Sequence, residues 1–436
     1  MLLNIFYLYA VVWSVILLLY GLGWSDLCIR LSAPIVLFVL FMILSSLALG
    51  YLMRKKFKFH KLSENPHKKP FVTIALVLFY IIEFICAKHV PLISVMTGNS
   101  YNAQGFFGIP VVHSWVTGFS ILYAFYLAYL FFCFKKKGLI FEYLGIFSYF
   151  LLLFQRQNML VVLLGGLWIG VASLDFKRLS RRNKILLCAG GVVAIIVLAL
   201  LFGVVGNVRY GLWQWFDSSM ICEVGAINDR WPPFVPKLMA WAYVYMISPL
   251  ANLQCNYLAG IQAGLTFADY MWQLVPSCFA NYIPHVSAVD VKLLHPALIV
   301  STAFVAVYRI GGIGGMFAFY FIEIALIVAV VFATQKRIEH SCAYYMGLFY
   351  FFMMNFFDNP VAYEITAFMI MYPLLYELFA LIVKEVRKLI SKHKKPVAVT
   401  AETDAPTVIQ EGAENDAPSM VQEAASNDEQ PPAEDD

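Results

Sequence analysis

Four arginines stand at the ends of strongly apolar stretches, where a membrane protein meets water. Arg209 lies in GNVRYGLWQW (206–215), just past ILLCAGGVVAIIVLALLFG (185–203), with Tyr210, Trp213 and Trp215 around it. Arg156 sits in QRQN (155–158), a tight connection between two apolar runs. Arg230 follows Asp229 in NDRWPPF, and Arg309 lies in AVYRIGGIGG. A guanidinium stays charged at any relevant pH, and its planar fork takes two phosphate or carboxylate oxygens at once. The chemistry such residues offer is recognition of an anion at the membrane surface. The plain alternative for each is an interfacial anchor whose stem lies along apolar surface while its head reaches water. Candidate proton acceptors fall on the same side: His113, Asp217, Glu223, Asp229, Asp269, His285, Asp290, His295 and Asp358. His285 and His295 bracket the short segment PHVSAVDVKLLHP. With Asp269 they are the candidates for a catalytic base, since an imidazole titrates near neutral pH.

The elements that must position these groups are membrane helices. Of the 436 residues, 61% are hydrophobic and 13% charged, where a soluble domain is nearer half apolar and a quarter charged. Runs of about 20 apolar residues recur, long enough to cross a hydrocarbon core of about 30 Å. They lack the period-two alternation of a transmembrane β-barrel. The expected fold is all-α, a polytopic transmembrane helical bundle. Spans are expected at about 2–22, 31–53, 71–90, 113–134, 139–155, 159–176, 185–204, 314–334, 340–357 and 361–383. Met1 leads directly into the first of them, with neither a basic n-region nor a small-residue cleavage site.

Lysine and arginine set the orientation. The clusters RKKFKFHKLSENPHKK (54–69), KKK (135–137), KRLSRRNK (177–184), KR (336–337) and KEVRKLISKHKK (384–395) all fall on one side of the ten spans. That side is expected to be the cytoplasm, with both termini inside and a large external loop over about 205–313. Within that loop, LMAWAYVYMISPLANL (238–253) is interrupted by Pro249. It reads as an interfacial helix, a re-entrant pair, or part of two further spans that bring the total to twelve.

The polymer changes character at residue 396. From Pro396 to Asp436 there are eleven acidic residues and no Lys or Arg. A 12-residue unit occurs twice, DAPTVIQEGAEN (404–415) and DAPSMVQEAASN (416–427). With almost no large apolar residues it is expected to be a disordered acidic cytoplasmic tail, outside a transmembrane body of residues 1–395. The body alone carries 31 basic and 16 acidic residues. The eight cysteines show neither CxxC nor CxxH spacing, so no metal site is expected; a disulfide among Cys222, Cys255 and Cys278 stays open. There is no HExxH, no phosphate-binding GxxxxGK[ST] and no GxGxxG after a strand. If the chain is an enzyme, its donor is lipid-borne.

The loops resemble those of the oligosaccharide repeat-unit polymerases, the O-antigen polymerase family of bacterial envelopes. The resemblance rests on five stretches in order: FFGIPVVH (106–113), QRQNML (155–160), GNVRYG (206–211), AWAYVYMISPLANL (240–253) and IVSTAFVAVYRIGGIGG (299–315). The last departs from the family, with Arg309 and Ile310 where an acidic residue is expected before the glycines. The resemblance implies a glycosyltransferase without metal, nucleotide or other cofactor, in the bacterial inner membrane. It would move a growing chain from its polyprenyl diphosphate onto the terminal sugar of a second lipid-linked unit. Donor and acceptor are then polyprenyl-diphosphate-linked oligosaccharides, and membrane lipid, a chain-length regulator and a flippase are the implied partners, with no nucleic acid. Arg156, Arg209, Arg230 and Arg309 would hold the diphosphate, where preorganised donors stabilise developing charge. Tyr210, Trp213 and Trp215 fit a sugar path or an interfacial belt.

Two other readings stand beside this one. An O-antigen ligase would use the same donor with lipid A core as acceptor. A transporter or flippase of the lipid-linked unit, or of another anion, should show internal repeats and broken helices with charges at mid-membrane. No repeat relates the two halves. Glu83 and Glu364 fall within or near spans, with no pairing visible in the sequence.

Overall fold

The computed structural model describes residues 2–97, 108–109, 111–209, 215–280, 288–335 and 337–393. Each of the ten apolar runs is occupied by a helix: α1 (Ile5–Gly21), α2 (Ala33–Leu52), α3 (Phe71–Ala87), and, after the short α4 (Pro91–Met96), α5 (Val112–Phe134), α6 (Lys137–Leu152), α7 (Arg156–Ala172) and α8 (Arg181–Arg209). The short α9 (Ser219–Val224) then leads to α10 (Ala240–Ala259), α11 (Phe267–Trp272) and α12 (Ser277–Ala280). The chain closes with α13 (Phe304–Thr334), α14 (Ile338–Met354) and α15 (Glu364–His393). Five of these, at 33–52, 112–134, 181–207, 304–334 and 364–389, are long and apolar enough to cross a membrane. Lipid leaves an apolar segment this choice because its own backbone must satisfy every N–H and C=O. Among the described residues the one pairing of extended backbone is an isolated antiparallel bridge, Ser25 to Ile227.

Residues 1–382 form one compact unit. Its centre is aromatic. Trp13 of α1 meets Phe304 and Phe356, Tyr9 stacks on Phe352 at 4.2 Å, and Phe38 of α2 meets Phe304 and Phe317. Polar side chains lock the ends of these helices. Asn4 caps α1 through the Phe6 N–H (3.2 Å), while its amide donates to the Gly50 carbonyl of α2 (2.7 Å). α5 is the hub of the other half, buried along most of its length against α6, α7 and α14. α8 is the opposite case, almost bare within the protein along its apolar length. A helix apolar all round and unpacked is one that lipid covers. From Val383 onward, α15 carries an exposed Lys388–Glu385 ion pair at 2.7 Å. The acidic tail expected at 396–436 lies outside the described residues.

Two elements differ from the reading of the sequence. Pro249 does not break its segment: α10 is one continuous 20-residue helix, buried over most of its length. The neighbours of α10 on both sides tie it in. Asn252 donates to the carbonyls of Leu298 (3.0 Å) and Val300 (2.8 Å), and Asn256 to that of Lys292 (2.7 Å). The break falls instead in α13, at Gly312, whose φ of 62° and ψ of −155° divide it into Phe304–Gly311 and Ile313–Thr334. L-residues rarely take that φ, and Gly takes it freely. The two arms lie against each other. The Phe304 ring is 6.1 Å from that of Phe319, and a Cβ on Gly315 would stand 2.6 Å from the Val307 carbonyl oxygen. Because Phe304 also meets Trp13, half-way along α1, residues 288–303 descend to that depth before the first arm returns. All eight cysteines are free thiols.

Candidate functional site

The basic connections gather at one end of the bundle: Lys56 donates to Gln335 (2.6 Å), and Tyr345 to the Lys56 carbonyl (3.1 Å). The opposite end holds the connections that carry the candidate chemistry. There Ser25 donates to the Gly225 carbonyl (2.5 Å) and Asn228 to that of Gly23 (3.1 Å).

Arg156 is the first residue of α7, and Arg209 the last of α8; their side chains lie outside the described part of the structure. Their footings are clear. α6 ends in a tight turn, with Phe154 at φ 53° and the Gln155 N–H bonded to the Phe150 carbonyl (3.1 Å). Gln157 then donates to the Tyr350 hydroxyl (2.8 Å), fixing the start of α7 against α14. Two residues before Arg209, Asn207 is wholly buried. It donates to the carbonyls of Trp215 (2.9 Å) and Asp217 (2.6 Å) and accepts from the Trp241 indole (2.8 Å). Gly203 and Gly206 admit this contact, since a Cβ at either would strike Leu238 or the Trp241 ring below 3.0 Å.

The other two arginines are placed differently. Arg230 is exposed in the turn after the Ser25–Ile227 bridge, with its N–H on the Asn228 side chain (3.1 Å). Arg309 is buried, and its guanidinium donates to the main-chain carbonyls of Gly260 and, at 3.3 Å, Asp290. It ties the end of α10 to the descending segment and to the first arm of α13, so those donors face the protein rather than a ligand.

The three candidate bases are not brought together by any contact among the described residues. Asp269 is buried as the third residue of α11. Its carboxylate accepts from the Thr266 N–H (2.6 Å), the return half of a capping box in which the Thr266 side chain accepts the Asp269 N–H, and also from the Thr266 hydroxyl (2.8 Å). His295 accepts the Ala297 N–H at 3.1 Å, a local turn contact. His285 lies outside the described residues. Two other acceptors are held as stable anions. The Ser219 N–H and hydroxyl keep the Asp217 carboxyl below its ordinary range, and a hydrogen bond from Lys292 does the same to Asp290. A depressed pKa makes a weak base.

A better-formed acid–base group lies where α3, α5 and α6 converge. His113, in the first turn of α5, has Nδ1 2.6 Å from Glu83 Oε1 near the end of α3. The Tyr149 hydroxyl of α6 donates to the other carboxylate oxygen and lies 3.5 Å from the same imidazole nitrogen. Tyr149 is held by stacking on Tyr80 at 3.6 Å, and Tyr80 in turn bonds Ser120 (2.6 Å). Gly108 completes the pocket, because a Cβ there would fall 2.0 Å from Glu83 Cγ. The Glu83 contact through Nδ1 fixes the orientation of the imidazole ring. Glu83 is fully buried, while 12% of the His113 side chain is exposed. The next residue on α5, Ser114, donates to Glu364 at 2.5 Å, and Ser277 donates to the same carboxylate at 2.9 Å.

No family model, curated protein or solved structure matches this sequence.

The geometry of the site therefore has to speak for itself. His113, Glu83 and Glu364 are each visible in the sequence as polar residues near ends of apolar runs. Their association is not, because Glu83 and His113 are separated by a stretch without periodicity. Gly108 belongs to the Gly-Ile-Pro stretch noted above, and its packing on Glu83 supplies a physical reason for a glycine there.

Proposed function

We propose that the protein is a membrane-embedded glycosyltransferase that joins polyprenyl-diphosphate-linked oligosaccharide units on the outer face of a bacterial inner membrane. In this reading the chain crosses the membrane ten times, with both termini and the basic connections inside and the Glu83–His113–Tyr149 group outside. The observation that carries this reading is that group itself: an imidazole oriented by a buried carboxylate, at the end of the bundle where α7 begins and α8 ends. His113 Nε2 takes the proton from the attacking sugar hydroxyl. Arg156 and Arg209 receive the diphosphate as it leaves, a charge-assisted contact that strengthens as the glycosidic bond breaks. Tyr149 and the start of α7 flank the same tight turn after α6. Donor and acceptor reach this end as lipid-linked substrates, brought by a flippase, and a chain-length regulator is a further partner of the reading.

The test is reconstitution. The purified protein with polyprenyl-diphosphate-linked units as sole donor and acceptor should yield a ladder of polymer, and the His113→Ala protein should not. Product formed only when a lipid A core acceptor is added would make it a ligase. A second reading has its own observation: α13 is broken at Gly312 and carries the fully buried Glu323, features expected of a transporter. Translocation of the lipid-linked unit across proteoliposomes, with no change in its length, would favour that reading.

A further inference from the structure

A second polar group lies in the densest part of the unit, away from the proposed acid–base site. Glu323 stands half-way along the longer arm of α13 and is 0% exposed, as are Asn355 at the end of α14 and Tyr9 of α1. The Asn355 amide donates to Glu323 Oε2 at 2.8 Å and reaches the Tyr9 hydroxyl at 3.5 Å. Among the described residues, Glu323 Oε1 and Asn355 Oδ1 have no hydrogen-bond partner. Nor does Thr302 Oγ1, 2% exposed, which immediately precedes Ala303, whose N–H bonds the Asn355 carbonyl at 2.9 Å. Three of the few orphaned buried polar atoms among the described residues thus belong to residues linked through Asn355, two of them directly and Thr302 through the backbone bond of its neighbour Ala303.

An unpartnered buried oxygen costs roughly 1–3 kcal/mol, and an uncompensated carboxylate far more. All three orphans are oxygens, and among the described residues no Lys, Arg or His pairs with Glu323. What would satisfy several oxygen lone pairs around one negative charge is a small cation. One carboxylate matches one positive charge; divalent ions draw on more carboxylates than this. The local helix dipoles leave that balance unchanged, since the N-terminus of the first arm meets the C-terminus of α14 and their partial charges offset.

We propose that Glu323, Asn355 and Thr302, with the Tyr9 hydroxyl, form a binding site for a dehydrated alkali cation, Na+ or K+. The ion joins the broken helix α13 to α14 and α1. Its occupancy fixes the fold-back of the first arm, and so the descending segment that Arg309 and Asn252 hold. The site is independent of the glycosyl-transfer reading and would stand if that reading fell.

The experiment uses the full-length purified protein, titrated with NaCl, KCl or choline chloride at constant ionic strength. Thermal unfolding midpoint and equilibrium binding of ²²Na⁺ are followed in parallel. The expected result is a saturable rise in midpoint with Na+ or K+ but not choline, and one bound ion per chain; the response of K+ relative to Na+ identifies the ion. Glu323→Gln should abolish both signals. Thr302→Ala, a milder change should the first variant fail to fold, should raise the half-saturating concentration about tenfold, the loss of one ligand oxygen. Equal stabilisation by choline chloride would overturn the proposal. So would a midpoint that follows pH and ignores alkali ions, since Glu323 would then simply be protonated, and so would an unaltered ion response in Glu323→Gln.

Discussion

Glu83 and Glu323 are both fully buried carboxyls on apolar helices, yet their surroundings differ in every respect that matters for chemistry. Glu83 has a partner on each oxygen, His113 on one and Tyr149 on the other, and its imidazole partner reaches the surface. Glu323 has a single amide partner, one orphaned oxygen and no route to the surface among its contacts. A satisfied carboxylate touching a partly exposed histidine can orient a base and hold its charge. An unsatisfied one deep in the core is left to bind a cation or a proton. Under the proposed function, the contrast gives turnover to the first region and conformational integrity to the second.

The largest effect should therefore come from His113. His113→Ala should lower polymer formation by a factor of about 10²–10⁴, the range for losing a positioned general base. Membrane insertion and unfolding midpoint should stay near normal, and lipid-linked single units should accumulate. Glu323→Gln should show the reverse pattern, with the alkali-ion response lost and polymer still made. If both variants lose polymer equally at matched expression, the separation of the two regions fails.

Arg209 comes next. Arg209→Ala should cost roughly 10²–10³ in rate, the loss of one preorganised donor at the developing charge. Arg209→Lys should recover only part of this, because a point charge does not replace a two-pronged fork. Wild-type polymer from both variants would make Arg209 an anchor and move the anion site to Arg230, the exposed arginine at the same end.

Much of the architecture was legible in the sequence, for a physical reason. An apolar run of about 20 residues in lipid has helix as its sole self-sufficient form, so all ten runs became helices with ends shifted by only a few residues in most cases. The local signals in polar loops were weaker. Pro249 suggested a break that tertiary packing of α10 overrides, while the glycines after Arg309 marked the break that does occur. The candidate site was legible only in parts. Asp269 stands out in the sequence for its acidity, although the Thr266 spacing of three residues is also that of a capping box. Arg309 stands out for its charge, and carbonyls of Gly260 and Asp290 receive it. The Glu83–His113 pairing depends on how α3 and α5 dock, which no local pattern encodes.

A smaller, graded effect should come from Gly108. Its Cα approaches Glu83 so closely that a methyl group would overlap the side chain, with 2.0 Å to Cγ and 2.4 Å to Oε1. Gly108→Ala must push the carboxylate aside and tilt His113 with it. Misplacement on this scale costs about tenfold or more in rate when the group is catalytic. The KM for the lipid-linked acceptor should change little. A variant with unaltered turnover would separate Gly108 from the acid–base group.

Asp269 should give the smallest effect, and it sharpens the comparison most cheaply. Its carboxylate closes the α11 cap through two bonds from Thr266 and is buried, so Asp269→Ala removes a capping contact worth about 1 kcal/mol. In a chain of this size that should lower the unfolding midpoint by no more than about 2 °C. Polymer yield at matched protein level should fall less than twofold. If instead Asp269→Ala loses polymer a hundredfold while the midpoint is unmoved, the carboxylate is the base and the cap is incidental. The acid–base group would then have to be rebuilt around α11 and the descending segment, on the Glu323 side of the molecule, and the division of labour between the two buried carboxyls would collapse.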